Sequence, residues 1–170
     1  MLTLHLQSKN VHLSPGNVFI WDARKMSKKP SPVVTMPQSR TVNSAYFSPL
    51  TGNSILTTGM DDFYRIYDFS DKKSAPVAKD LRHNNNTGRW ITKFRAAWYP
   101  RREDFILSGL MGHPRQIELY SAASMPKKLE KVHEFKDPDV LASICCVIEG
   151  HPYKPLVAGG NASGKVYVFQ

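Results

Sequence analysis

The sequence has little cysteine, and neither residue is placed for a disulfide framework or a metal site. Only Cys145 and Cys146 occur among 170 residues. Because they are adjacent, in a strand they would point to opposite faces, so they cannot build a framework of disulfides. We expect both to be small core residues of a chain from a reducing compartment. The six histidines show no metal-ligand spacing with cysteine or carboxylates.

Long hydrophobic runs and catalytic motifs are also missing. No apolar run approaches the roughly 18 residues of a membrane helix, and the amino terminus lacks a signal-peptide pattern. The sequence contains no phosphate-binding glycine loop, nucleophile elbow or paired acidic motif. These absences predict a chain that is not an enzyme and has no cofactor, no small-molecule substrate and no membrane partner.

Acidic residues are in deficit. The chain has 14 of them against 23 lysines and arginines, which gives a net charge of +9. Such an excess favours a polyanionic partner such as nucleic acid. A surface whose charge serves only solubility explains the composition equally well, so charge alone leaves both interpretations open.

What the sequence does contain is an internal repeat. Pro49, Pro100 and Pro152 each follow the first strand of a unit, and they lie roughly fifty residues apart. In every unit short alternating segments are separated by clusters of Gly, Pro, Asn, Asp and Ser, which is typical of strands joined by turns. A self-similar unit of this kind indicates propeller blades. The repeat therefore predicts an all-β chain that serves as a binding platform.

Each predicted unit has strands a, b and c and an outer strand d. The complete units are expected at 42–47, 54–58, 64–68 and 75–80, then at 93–98, 104–108, 115–120 and 129–135. The last unit has strands at 142–148, 155–159 and 165–169. Upstream, the pattern predicts a c strand at 17–21, a d strand at 32–36 and a possible b strand at 11–13. Residues 1–10 match no unit, so the predicted organisation is a divergent segment 1–15 followed by blades in 16–170.

Several phrases resemble one family of WD-repeat proteins. Residues 16–22 and 61–68 are similar to the ends of WD repeats, with Asp at the last position. Four longer phrases are similar to the family that includes the small subunit of the damaged-DNA-binding complex: 46–52, 87–90, 111–115 and 158–166. The resemblance covers residues 16–170. It implies a seven-bladed WD40 β-propeller, of which this chain supplies a carboxy-terminal part, a partial ring of three to four blades.

The resemblance also implies an adaptor site. Trp21, Asp22 and Arg24 form a Trp-Asp-x-Arg box, which in substrate receptors of cullin-4 ubiquitin ligases faces the large damage-binding adaptor. A guanidinium at a blade rim can make bidentate contacts across such an interface. An ordinary WD-repeat end that binds no ligase is the alternative. In WD repeats, an Asp at the place of Asp61 accepts backbone hydrogen bonds in the b–c turn. Asp61 and the terminal Asp68 are therefore expected to be structural turn residues.

The candidate DNA-binding residues come from connections that should emerge on the opposite narrow face. Residues 82–90 form a long polar d–a loop with a basic and aromatic tip, which suits contacts to phosphates, base edges and bases. The b–c turn at 109–115 opens on the same face. The loop lacks the wedge residues of the damage-binding relative, so we expect groove or phosphate contact. The predicted DNA-binding residues are Arg89, Trp90, His113, Arg115 and Arg40. For Trp90, inward packing as a strand anchor is an equal alternative.

These features together predict a nuclear WD-repeat protein of the DNA damage response. It would bind DNA or damaged chromatin on one face and, on the other, the adaptor of a cullin-4 ubiquitin ligase as a substrate receptor. The alternative is a general WD-repeat interaction scaffold without specific DNA binding.

Overall fold

The computed structural model describes residues 2–7, 16–25, 31–70, 77–123 and 128–170. These residues form fourteen β-strands in four antiparallel sheets. Within the same ranges the one helical element is a single 3-10 turn, Ala23–Lys25, and no helix is long and apolar enough to cross a membrane. The all-β prediction is confirmed.

The strand order follows the chain in every sheet. The first sheet has three strands, β1 Leu2–Gln7, β2 Asn17–Asp22 and β3 Val34–Pro37. The second has four, β4 Val42–Phe47, β5 Ser54–Gly59, β6 Phe63–Asp68 and β7 Val77–Arg82. The third also has four, β8 Ala97–Trp98, β9 Phe105–Gly109, β10 Ile117–Ser121 and β11 Glu130–Phe135. The fourth has three, β12 Cys145–Gly150, β13 Val157–Asn161 and β14 Val166–Phe169.

The largest differences between the predicted strands and the structure lie at β1 and β8. No strand was expected in residues 1–10, yet β1 lies at 2–7 and pairs with β2 from Leu2↔Asp22 to Gln7↔Asn17. The possible b strand at 11–13 lies outside the described residues. The a strand predicted at 93–98 shrinks to Ala97–Trp98, because the backbone N–H of Ala96 donates to Thr58 Oγ1 of the second sheet (3.0 Å). Ala96 thus bonds the neighbouring sheet, and the pairing with β9 is limited to Ala97 and Trp98.

Consecutive sheets pack face to face through four apolar clusters of described residues. Val18, Ile20 and Met36 of the first sheet pack against the second. Leu56 and Tyr64 of the second sheet pack against the third. Two further clusters join the third and fourth sheets, and each of them contains one of the two cysteines. Cys145 lies with Leu107 and Ile117, and Cys146 with Phe94 and Ile144. Burial raises the pKa of both thiols to about 11, consistent with the core role predicted for them.

The sheets are joined by polar contacts as well as by apolar packing. The hydroxyl groups of Tyr64 and Ser108, both fully buried, are hydrogen-bonded to each other across the second and third sheets. Trp98 donates its indole N–H to the carbonyl of Tyr46 (3.0 Å) across the same boundary. Tyr64 and Trp98 therefore each have a hydrogen-bond partner across this boundary, as burial of their polar groups requires.

Antiparallel pairing within each sheet gives the assembly two rims. We call the edge with the b–c and d–a connections the upper rim, and the edge with the a–b and c–d connections the lower rim. Contacts between connections follow this division. On the upper rim the Met60 N–H donates to the carbonyl of Thr41 (2.8 Å), and on the lower rim the Ala122 N–H donates to that of Asp104 (2.7 Å).

Candidate functional site

The predicted adaptor box lies on the lower rim, where β2 ends. The guanidinium of Arg24 donates to both carboxylate oxygens of Asp22, Nε to Oδ1 (3.0 Å) and Nη2 to Oδ2 (2.9 Å). The backbone N–H of Arg24 also donates to Asp22 Oδ1 (3.1 Å). These hydrogen bonds hold the pKa of Asp22 well below its usual range. Because 76% of the Arg24 side chain stays exposed, the fork is oriented by Asp22 while the cation faces solvent.

Trp21 lies within β2, whereas Arg24 lies in the turn that follows this strand on the lower rim. It lies half-buried on β2, with its ring centroid 6.2 Å from that of Phe19 on the same face of the sheet. The intervening Ile20 points to the opposite face, into the boundary with the second sheet. Trp21 therefore packs along the sheet, while Asp22 and Arg24 shape the rim.

The long upper-rim loop that follows β7 is anchored at its base. Asp62 of the b–c turn accepts hydrogen bonds from the loop, its carbonyl from the His83 N–H (2.9 Å) and its Oδ1 from the Asn85 N–H (2.9 Å). The buried Asn85 side chain donates to the carbonyl of Gly59 (2.9 Å). These bonds fix the start of the loop, so its tip projects from a rigid base.

The tip of this loop carries the two strongest candidates. Trp90 is 84% exposed, which excludes the inward-packing alternative. The Arg89 guanidinium carbon lies 5.2 Å from the centre of the Trp90 ring, within the range of a cation–π contact. An exposed indole beside an exposed cation can stack on a base while the cation meets a phosphate.

Arg40 and His113 are also exposed on the upper rim. Arg40 lies in the connection between β3 and β4, and its carbonyl would lie 2.6 Å from a Cβ at Gly16. Only glycine fits at position 16, because the Arg40 backbone lies so close to the start of β2. His113 lies in the turn between β9 and β10.

Arg115 differs from the other upper-rim cations because its guanidinium forms hydrogen bonds within its own turn. Nη1 donates to the carbonyls of Met111 and Gly112, the latter at 3.2 Å. The side chain is half-buried, and together with Ile91 it lines a cavity. Arg115 thus stabilises the b–c turn, and its side chain is less exposed than those of Arg40 and Arg89.

Asp61 and Asp68 occupy turns, with partners that differ between them. Asp61 pairs with Arg65 (2.7 Å) and accepts from the hydroxyl of Ser39, so its carboxylate bonds side chains where backbone donors were expected. Burial acts to raise the pKa of Asp61, but the bonds from Arg65 and Ser39 outweigh it and lower that pKa. Asp68 accepts from the backbone N–H of Ser70 (2.9 Å) in the c–d turn.

The repeat pattern places Asn161 and Ser163 where a turn aspartate would be expected. In the fourth sheet Asn161 Oδ1 accepts from the backbone N–H of Ser163 (3.0 Å) and of Lys165 (2.9 Å). An amide oxygen therefore takes the acceptor place of a turn aspartate. Asn161 suits this place, since Asn is a strong turn residue whose side chain bonds the backbone two positions on.

The structure groups the predicted residues by rim. Strand pairing puts the Arg24 box on the lower rim. It puts the DNA-binding candidates in upper-rim connections of consecutive sheets: Arg40, Arg89, His113 and Arg115. Among the residues that the structure describes, no cluster of three or more His, Cys, Asp or Glu side chains could hold a metal ion.

Solved structures share this architecture. The chain aligns with the β-propeller domain of Myceliophteria thermophila Cps50 (Swd1) with a TM-score of 0.62 and 13% identity, covering 89% of this chain and 46% of that one. It aligns with a chain of the mitotic checkpoint complex with a TM-score of 0.60 and 18% identity, covering 93% and 46%. The class of protein is thus a WD40 β-propeller, present here as four blades of a partial ring.

Curated relatives narrow the class. WD repeat-containing protein 76 of Xenopus laevis is 49% identical over 91% of this chain, and that of Rhinolophus ferrumequinum is 42% identical over 88%. DNA damage-binding protein 2 of Oryza sativa subsp. japonica is 31% identical over 89%. The match covers 26%, 24% and 27% of these relatives, so the chain spans about a quarter of their length. No family model matches the chain.

Over most of its length the chain matches the WD-repeat family of WD repeat-containing protein 76 and DNA damage-binding protein 2, and the resemblance predicted from its motifs is confirmed.

Proposed function

We propose that this chain is a non-enzymatic, nuclear WD-repeat module with a separate macromolecular partner at each rim. The upper rim would bind DNA or damaged chromatin, and the lower rim would bind the adaptor of a cullin-4 ubiquitin ligase, as a substrate receptor does. Relatives named for binding damaged DNA support the first partner. The predicted adaptor box supports the second.

The observation that carries the DNA assignment is the exposed pair of Arg89 and Trp90. Trp90 is 84% exposed and lies on a loop with a fixed base, so its ring is free to stack on a partner. The net charge of +9 adds a long-range attraction for a polyanion. Stacking by the indole and phosphate contact by the guanidinium are complementary roles in nucleic-acid binding.

The adaptor assignment depends on the orientation of Arg24. Its two donors to Asp22 fix the plane of the guanidinium, and the exposed remainder can meet acceptors on a partner. A preoriented cation loses less conformational entropy on binding than a free arginine does. The opposite rims keep the two partners apart.

The test is a pair of variants assayed for both partners. Arg24→Ala should abolish co-purification of the adaptor and leave DNA affinity unchanged, because Arg24 lies on the lower rim. Arg89→Ala should weaken DNA binding and reduce the salt slope of log K by about 1, as loss of one phosphate contact does. Trp90→Ala should weaken binding without changing that slope, since an indole neutralises no phosphate.

Arg101→Ala is the matched control, because it removes an equal charge from an exposed lower-rim position outside the box. It should change neither assay. If Arg24→Ala and Arg89→Ala each impair both partners, the two-rim arrangement is wrong. DNA binding that is weak and unaffected by Arg89→Ala and Trp90→Ala would instead favour the interaction scaffold.

A further inference from the structure

A cavity of about 200 Å³ opens on the upper rim between the third and fourth sheets. Its walls come from four connections, those before β8, β10 and β12 and the turn after β13. They include the side chains of Ile91, Arg115, Ser143, Ile144, Asn161 and Ala162. A site of this size suits a single side chain, since pockets for drug-sized ligands begin at roughly 300 Å³.

Arg115 gives this cavity an unused donor. Its Nη1 bonds the turn carbonyls, but its Nε is buried and has no hydrogen-bond partner among the described residues. A buried guanidinium N–H without an acceptor is costly, because the group has lost water and gained nothing in exchange. None of the residues lining the cavity is acidic. A ligand that enters the cavity could supply this acceptor.

Neighbouring groups favour the same kind of ligand. The Ser143 hydroxyl oxygen accepts from Asn161 Nδ2, which leaves the hydroxyl hydrogen available as a donor. Asn161 Oδ1 is already occupied by the N–H groups of Ser163 and Lys165, so it offers no competing acceptor. A carboxylate could accept from Arg115 and Ser143 at once.

We infer that this cavity binds the carboxylate of an acidic side chain from a protein partner. The apolar walls argue for a side chain over a nucleic-acid phosphate. Ile91, Ile144 and Ala162 would pack against methylene groups while the carboxylate reaches Arg115. DNA phosphates lie on the outside of the duplex, where the exposed Arg89 meets them more readily than a half-buried arginine between two sheets. The upper rim thus has a protein-binding subsite beside its DNA-binding loop.

The experiment follows the Arg115 Nε–H signal by NMR during titration of the full chain. The probes are N-acetylglutamate amide and the isosteric N-acetylglutamine amide. The glutamate probe should shift this signal saturably and bind roughly tenfold or more tightly than the glutamine probe, because charge-assisted hydrogen bonds are the stronger ones. Equal binding of the two probes, or no shift with the glutamate probe, overturns the inference.

Two alanine-to-leucine variants test whether the probe binds in this cavity and control for misfolding. Ala162→Leu narrows the cavity without touching the bonds from Arg115 to its turn, and it should abolish the shift. Ala123→Leu makes the same change at an exposed lower-rim position and should bind as the parent does. Arg89→Ala should also bind the probe normally, which separates this site from the DNA assignment. A shift caused by inorganic phosphate or a 12-base-pair duplex, but not by the glutamate probe, would assign the cavity to nucleic acid.

Discussion

At the scale of single residues, the boundary between the third and fourth sheets depends on a glycine. Gly109 ends β9, and a Cβ there would overlap the backbone carbonyl of Cys145 in the next sheet. A backbone atom cannot rotate away as a flexible side chain can. Gly109 therefore sets how closely the two sheets approach.

Gly109→Ala should lower the free energy of unfolding by about 1–3 kcal/mol, the usual cost of overpacking a well-packed boundary. Urea unfolding followed by tryptophan fluorescence measures this change. Gly112→Ala is the control three residues away, where the nearest atom to a new Cβ is a leucine methyl at 3.5 Å. Equal stability of the two variants would show that the sheets separate easily.

Residue types and turn positions could be predicted from the sequence, but side-chain partners could not. The turn aspartate Asp68 follows from its place at the end of a WD repeat, and its bond to Ser70 is local. One partner of Asp61 is Ser39, twenty-two positions away, and no local pattern specifies such a pair. Whether Trp90 points in or out depends on how neighbouring sheets fill space, which only the packed structure reveals.

At the scale of elements, the lower-rim connections of the second and third sheets are clasped by one carboxylate. Glu103 accepts from the backbone N–H of Leu50 (2.9 Å) and from the hydroxyl of Thr51 (3.0 Å). Partial burial acts to raise the pKa of Glu103, but hydrogen bonds from Thr51, Ser48 and Leu50 lower it below the ordinary 4.5. The ionised form therefore stabilises the folded state.

This clasp predicts a pH dependence. Because the folded pKa is depressed, its contribution is fully present above pH 4.5 and is lost as the pH falls through the folded value. Glu103→Gln should cost no more than about 1 kcal/mol at pH 7, since the carboxylate is solvent-accessible. The difference from the parent chain should shrink toward zero in acid, as measured by thermal unfolding across pH. The same change at the exposed Glu130 should show no such trend; if it does, the trend reflects net charge.

Strand positions could be predicted closely where alternation and turn residues agree. The strands of the second sheet lie within two residues of their predicted bounds. The a strand of the third sheet was predicted too long, because the apolar residues Phe94 and Ala96 fit a strand pattern equally well when they pack against a neighbouring sheet. Strand β1 was missed because residues 2–7 resemble no repeat unit, although they alternate in polarity.

At the scale of the whole molecule, the outer face of the fourth sheet carries three exposed valines and has no neighbouring sheet among the described residues. Val147, Val166 and Val168 are 52%, 70% and 64% exposed. Val147 and Val166 both lie opposite Gly160 in the strand register, so they share one face. In the other sheets the equivalent faces are buried by the next sheet.

We expect this face to drive self-association of the isolated chain. Replacing Val166 and Val168 together with Lys should keep the chain monomeric at concentrations where the parent associates, as measured by sedimentation velocity. Stability should change by less than about 1 kcal/mol, because both side chains are exposed. Val140→Lys alters an equally exposed valine in an upper-rim loop and should leave association unchanged. A parent chain that stays monomeric would contradict this prediction.

The hydrogen bond from Ala96 to Thr58 has a consequence for how the structure comes apart. If the second sheet melted first, the third would lose the acceptor of the Ala96 N–H and would expose to water the apolar face that Leu56 and Tyr64 cover. That penalty links the two central blades into one cooperative block. Amide protons of β5 and β9 should accordingly exchange with solvent at a common rate, while the terminal blades fray independently.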